Sequence, residues 1–175
     1  VFLAGLRAAL TADGRFNGGD WTERPLAGLA AFGRVYAGWA FSQAFYRERL
    51  DIEAMGFASA DAFLESYWDN LFAACDPNDL MAMTWTWQHG DIADNELYAG
   101  DFAKALAAIQ ARAVVMPSAT DLYFPVADSE IEVAGMANAR LATIPSVWGH
   151  VAGAVGANAA DTQFIDARLR EALEG

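Results

Sequence analysis

Ala113-Val114-Val115-Met116-Pro117-Ser118-Ala119-Thr120-Asp121 and, one helical stretch later, Arg140-Leu141-Ala142-Thr143-Ile144-Pro145-Ser146-Val147-Trp148-Gly149-His150 decide the fold of this chain. Residues 113–116 form a short continuous apolar run, residues 140–144 read as a second strand, and each segment then breaks at a proline. A continuous apolar run of that length is the pattern of a strand buried on both faces. Residues 126–137, between the two segments, read as a helix. A last helix starts near Asn158 or Asp161 and turns Phe164, Ile165, Leu169 and Leu173 inward. Strand, helix, strand, helix implies a parallel pair joined by a right-handed crossover. Two parallel strands are too few for a covered sheet, so further strands are expected from outside these residues.

Upstream the period changes, and residues 1–110 read as helices. The first is a short helix or helix end over residues 1–10. Asp13-Gly14 and Asn17-Gly18-Gly19-Asp20 are turn chemistry. Pro25 suits a helix first turn, and that helix is expected to run to about Leu50 with Leu29, Phe32, Tyr36, Trp39 and Phe45 on its buried side. After Ser59 or Asp61, the pairs Phe63/Leu64, Tyr67/Trp68 and Leu71/Phe72 repeat every four residues and predict one wide apolar stripe. Asp76-Pro77-Asn78 opens a helix carrying Leu80, Met83, Trp85 and Trp87. Asp101 is the expected N-cap of a shorter one carrying Phe102, Leu106 and Ile109.

Composition narrows the function classes. The 175 residues carry a formal charge of −12, which disfavours phosphate-rich partners and so argues against nucleic acid. Hydrophobic residues make up 55% of the chain, including 11 Phe, 6 Trp and 5 Tyr, enough for a sizeable core. A membrane span needs about 20 apolar residues. The uncharged run over 141–160 is interrupted by Pro145, Ser146, His150 and Asn158, so no membrane partner is expected, and the expected location is cytoplasmic. The single cysteine, Cys75, excludes an internal disulfide and a cysteine-based metal cage. Cys75 and His89 read as packing residues, His89 at a helix end among tryptophans, and no metal site is expected. The chain lacks an initiator methionine, which fits a piece of a longer protein.

Asp121 and His150 stand out by position, each just past the C-terminal end of a predicted parallel strand, where open α/β sheets collect ligands and catalytic groups. An aspartate there can accept a hydrogen bond from imidazole Nδ1, fix its tautomer and stabilise the imidazolium formed when Nε2 takes a proton. Aspartate followed by histidine matches the end of the chain order Ser…Asp/Glu…His. Spacing alone leaves the alternative open that Asp121 caps a turn and His150 is an ordinary loop histidine. A serine nucleophile of this kind sits in Gly-x-Ser-x-Gly between a strand and a helix. Ser42, Ser59, Ser66, Ser118, Ser129 and Ser146 all lack those flanking glycines, so the chain offers an acid and a base but no nucleophile.

Several stretches together resemble the homoserine O-acetyltransferase family of α/β-hydrolases. Thr120-Asp121-Leu122-Tyr123-Phe124-Pro125 is similar to its acid loop, Gly149-His150 to its base, and Phe164-Ile165-Asp166 to the start of its closing helix. Asn17-Gly18-Gly19, Gly28-Leu29, Ser42, Tyr46, Arg49 and the stretch from Asp76 to Asp91 fall at matching places in its helical cap. The resemblance implies the C-terminal part of an α/β-hydrolase fold. Residues 1–16 would be the end of a core helix and the entry to the cap, 17–110 the helical cap, and 111–175 the last two strands and helices. It implies acyl transfer through a serine acyl-enzyme, from acyl-CoA as co-substrate to an alcohol acceptor, a place in methionine biosynthesis, and a homodimer formed through the cap. No bound cofactor is implied. Asp121 and His150 would be catalytic and Asp91 substrate-binding, with the nucleophile outside this chain and residues 1–175 inactive alone.

The sequence departs from that family where the acceptor is recognised. Val151 stands where the family follows Gly-His with an aspartate, Gln88 replaces the first of two aspartates, and Gly33 and Phe41 replace arginines. Each lost charge-assisted contact removes about 1.5–3 kcal/mol of recognition. An acceptor other than homoserine is therefore expected. The alternatives are an esterase acting with water and a non-catalytic helical dimerisation module.

Overall fold

A computed structural model describes residues 1–174, and they divide into two compact units, one of residues 1–38 with 48–90 and one of residues 39–47 with 91–174. In the first unit, α1 (Phe2–Thr11) buries Leu6 and Leu10. Asp13 ends the turn that follows, its carboxylate accepting from the backbone N–H groups of Arg15 (3.0 Å) and Gly28 (3.1 Å). Gly28 lies so close to α1 that a Cβ there would come within 2.6 Å of the Leu10 carbonyl oxygen. The next helix, α2 (Leu26–Ala40), starts just after the buried Pro25, as the first-turn preference of proline predicts.

The expected single helix from Pro25 to about Leu50 is broken into three. After α2 come α3 (Gln43–Arg47) and α4 (Leu50–Glu53). Two local causes are visible. Ser42 acts as a capping residue, its Oγ accepting from the Phe45 N–H at 3.0 Å. Arg49 takes a left-handed backbone with φ 56°, which a continuing α-helix does not allow.

The four-residue repeat after Ser59 also resolves differently. Ser59 caps α5 (Ala60–Phe63), which leads through a π-helical stretch, Leu64–Asp69, into α6 (Asn70–Ala73). The expected wide stripe narrows to a single row, because Phe63, Trp68 and Phe72 are buried while Tyr67 is 36% and Leu71 48% exposed. Phe63 and Trp68 are five apart, and the wider i to i+5 winding of the π stretch keeps them on one face. Ring contacts carry the row onward, Phe72 lying 5.1 Å from Phe32 and 5.5 Å from Tyr36 between centroids. Gly33 is required here, since a Cβ on it would meet the Phe72 ring at 2.7 Å. The guanidinium of Arg24 closes the end of α6 by donating to the carbonyls of Ala73 and Cys75, both at 2.6 Å. Cys75 is half-buried there rather than in the core.

Asp76 caps α7 (Pro77–His89) through the N–H groups of Asn78 and Asp79. Leu80 and Thr84 face the core, whereas Met83 and Trp85 are exposed. His89 ends α7 stacked on Trp85, centroids 4.4 Å apart, with its Nδ1 at 2.7 Å from the Trp85 carbonyl oxygen.

In the second unit, α3 contributes Phe45, which stacks on Phe41 at 4.1 Å and meets Trp148 edge-on at 5.2 Å. Asp101 caps α8 (Phe102–Ala107) through the Lys104 N–H. There follow β1 (Ala113–Val115), α9 (Val126–Gly135), β2 (Ala139–Leu141) and α10 (Ala159–Glu174). The strands are parallel and in register Ala113 to Ala139, Val114 to Arg140 and Val115 to Leu141. Pairing resumes at Ser118 and Ile144. β1 is half-buried rather than buried on both faces, because among the described residues the sheet has two strands, with α10 against β1 and α9 against β2. The core beside it is Ile144, Ala152 and Ile165, with Met116, Trp148 and Phe164 packed around them. None of the described helices is long and apolar enough to cross a membrane.

Candidate active site

The ladder between the strands continues past β2. Ala142 N–H reaches the Val115 carbonyl, Ile144 N–H the Pro117 carbonyl and Ala119 N–H the Ile144 carbonyl, each at 2.9 Å. Both strand segments then leave the sheet at the same end, as parallel strands require, and this brings Asp121 and His150 together. His150 Nδ1 lies 3.0 Å from Asp121 Oδ2. An ionised carboxylate can only accept, so the imidazole Nδ1 carries the proton, and in the neutral ring Nε2 keeps the lone pair.

Asp121 also caps a turn, as the alternative reading had it, and the two roles use different oxygens. Its Oδ1 accepts from the backbone N–H of Tyr123 at 2.8 Å and of Phe124 at 3.1 Å, leaving Oδ2 aimed at the imidazole. The carboxylate side chain is 7% exposed and the imidazole 37%. Burial alone would raise the Asp121 pKa. The hydrogen bond from His150 and the N–H groups of Phe124 and Tyr123 outweigh it, and the carboxyl is held below its ordinary value.

His150 rides on a short 3-10 segment, Gly149–Gly153. Gly149 has φ +62°, and a Cβ on it would meet Ser42 N at 2.7 Å and Ala40 O at 2.8 Å. Glycine is therefore demanded before the histidine both by the backbone conformation and by the seat of the loop. The loop is pinned by the hydroxyls of Ser42, Ser146 and Thr120, a role their sequence positions do not suggest. Ser42 Oγ donates to the Val147 carbonyl. Ser146 Oγ accepts from the Trp148 N–H at 3.1 Å and donates to Asp161 Oδ2 at 2.7 Å. Thr120 Oγ1 donates to the Ser146 carbonyl at 2.9 Å and accepts from the Gly149 N–H at 3.1 Å. Ser42 falls inside the single helix expected from Pro25 to about Leu50, and its bond to Val147, like those of Thr120 and that of Ser146 to Asp161, joins residues distant in sequence.

Aromatic rings wall the imidazole. Tyr123 meets it edge-on at 5.0 Å and Phe124 lies at 5.6 Å, while Trp39 stacks on Tyr123 at 6.4 Å. A hollow of about 370 Å³ opens beside the pair, lined by Met116, Ser118, Asp121, Phe124, Ser129, Glu132 and His150 among others. Asp91 does not line it. That residue is exposed and its Oδ1 caps a turn by accepting from the Ala93 N–H at 2.8 Å. Phe41, in place of an arginine, is 1% exposed and belongs to the aromatic nest under Trp148.

No protein-family model matches the chain. A probable esterase of Corynebacterium glutamicum is 32% identical over 176 residues, covering 99% of this chain and 49% of that protein. An ethyl acetate hydrolase of Pseudomonas veronii is 33% identical over 175 residues, again 99% of this chain and 49% of the relative. The chain thus spans about half the length of the curated relatives it matches. Among solved structures, the acetyl esterase MekB superposes with a TM-score of 0.93 at 33% identity, over 99% of this chain and 50% of that one. Homoserine O-acetyltransferase of Trichormus variabilis is more distant, 26% identical over 82% of this chain and 40% of that protein. The Bacillus anthracis enzyme of that name shares the fold, with a TM-score of 0.76 at 22% identity over 98% of this chain and 48% of its own.

The sequence is nearer to these ester hydrolases than to the homoserine O-acetyltransferases that its motifs resemble, and its fold is shared with about half of each.

Proposed function

We propose that the chain supplies the acid and base of a carboxylester hydrolase acting on short acyl esters, with a serine nucleophile from outside these 175 residues. The hydrogen bond from His150 to Asp121 at the C-terminal edge of the strands carries this reading. The serine oxygen attacks the ester carbonyl while His150 Nε2 takes its proton. The same nitrogen then returns that proton to the departing alcohol, leaving an acyl-serine. Water gives a proton to Nε2 and attacks the acyl carbonyl; the bond to the serine oxygen breaks, Nε2 returns the proton to that oxygen, and the carboxylic acid leaves with the serine restored. Asp121 remains ionised throughout and stabilises the imidazolium in both halves.

Water, rather than an amino-acid hydroxyl, is the acceptor that the surroundings favour. Val151 offers no charge to an ammonium group, and Phe41 is part of an apolar nest. Tyr123 and Phe124 give the imidazole an aromatic wall suited to a small uncharged alcohol. The similarity to an ethyl acetate hydrolase and an acetyl esterase supports the same choice over acyl transfer from acyl-CoA, for which the more distant acetyltransferases speak.

The test uses the full-length protein. It should hydrolyse p-nitrophenyl acetate, and His150→Ala should lower kcat/KM by about three orders of magnitude or more. Acetyl transfer from acetyl-CoA to homoserine that outruns hydrolysis would overturn the choice of acceptor. Unchanged activity in His150→Ala would overturn the site.

A further inference from the structure

We infer that Thr120 is a positioning residue for the acid–base pair: its hydroxyl clips the loop carrying the base to the loop carrying the acid. The inference rests on the hydrolase reading above. The backbone ladder between the two strand segments ends at the bond from Ala119 N–H to the Ile144 carbonyl. It ends because the first segment turns, Asp121 N–H bonding back to the Ser118 carbonyl at 3.2 Å. From that point the Thr120 side chain does what the backbone no longer can. Its Oγ1 donates to the Ser146 carbonyl and accepts from the Gly149 N–H, so that one hydroxyl spans the base loop from end to end. As a β-branched residue threonine has few χ1 rotamers, which keeps the hydroxyl aimed.

The position of the clip distinguishes it from the other pins. Thr120 directly precedes the acid and Gly149 directly precedes the base, so each end of the bond lies one Cα step, about 3.8 Å, from a member of the pair. Ser146 ties the base loop to α10 through Asp161, and Ser42 ties it to the start of α3. Neither serine hydroxyl bonds to the acid loop in these contacts. Without the Thr120 hydroxyl both loops stay anchored, but past the ladder their register rests on the Asp121–His150 bond and on the ring contacts of Tyr123 and Phe124 with the imidazole. A misplacement of about 1 Å in a reacting group costs on the order of 100-fold in rate.

In the full-length protein, Thr120→Val removes the hydroxyl at nearly constant volume. With p-nitrophenyl acetate, below the melting transition, kcat should fall at least tenfold while KM stays within twofold. The downfield proton resonance of the His150 Nδ1–H should weaken with it. Thr120→Ser, which keeps the hydroxyl, should restore kcat to within threefold of the parent. Should Thr120→Val fail to fold, Thr120→Ala takes its place under the same criteria. A hydroxyl-free variant that matches the parent, or a loss that Thr120→Ser does not restore, overturns the positioning role. His150→Ala, run alongside, separates the two readings: if it is inactive while the hydroxyl-free variant matches the parent, the hydrolase reading stands and only the Thr120 role falls. If His150→Ala keeps full activity, both fall.

Discussion

At the residue scale, Asp121 shows how one side chain can serve a turn and a reaction together. Two backbone N–H groups hold Oδ1 and the imidazole holds Oδ2, so the carboxylate has no freedom to rotate without losing a charge-assisted bond. Its lowered pKa has a consequence for stability. A carboxyl with a depressed folded-state pKa adds stability above its unfolded value, about 3.9, and that contribution is lost as pH falls through the folded value. The melting temperature should therefore drop as pH is lowered from 5 to 3. The gap between the parent and Asp121→Asn should narrow over the same range, and a gap that stays constant in thermal melts would contradict the assignment. Gly149 is the matching constraint on the base side. The sequence marks it only as a glycine before a histidine, and its seat against Ala40 and Ser42 is invisible there because those residues are more than a hundred positions away.

At the scale of elements, most helices were legible because their caps are local. Ser59, Asp76 and Asp101 each accept from N–H groups two or three residues on, where a sequence reader looks for them. What was not legible is winding. The pairs Phe63/Leu64, Tyr67/Trp68 and Leu71/Phe72 look equivalent, yet a π-helical stretch selects Phe63, Trp68 and Phe72 for burial. Truncating the two neighbours should separate them. Trp68→Ala removes a buried ring and should cost about 3–5 kcal/mol, whereas Tyr67→Ala, at a 36% exposed position, should cost distinctly less. Equal losses in chemical denaturation would mean that both residues of the pair are core. The break after Ala40 was missed for a similar reason. Apolar spacing runs on through Phe41 and Phe45, but Ser42 turns the chain and sends its hydroxyl to the base loop.

For the whole molecule, the strand pair sets the expectation. β1 and β2 pair with each other, and among the described residues neither has a second neighbour. A parallel pair with an open edge rich in Val and Met invites pairing with another chain. Residues 1–175 expressed alone are therefore expected to aggregate or fold poorly, which light scattering would report; a soluble monomer with a sharp cooperative melt would count against this.

The sequence by itself determined the alternation of strand and helix in the last third, the strand-end positions of Asp121 and His150, and the lack of an elbow serine. All of these are local patterns or a count of residues. Only the tertiary structure decided that Asp121 and His150 bond, which of its oxygens Asp121 gives to the imidazole, and that Thr120, Ser42 and Ser146 fasten the base loop. Those bonds join residues 15 to 105 positions apart. A hydroxyl's partner over such a distance is set by where the chain has folded, which the residues around it do not encode.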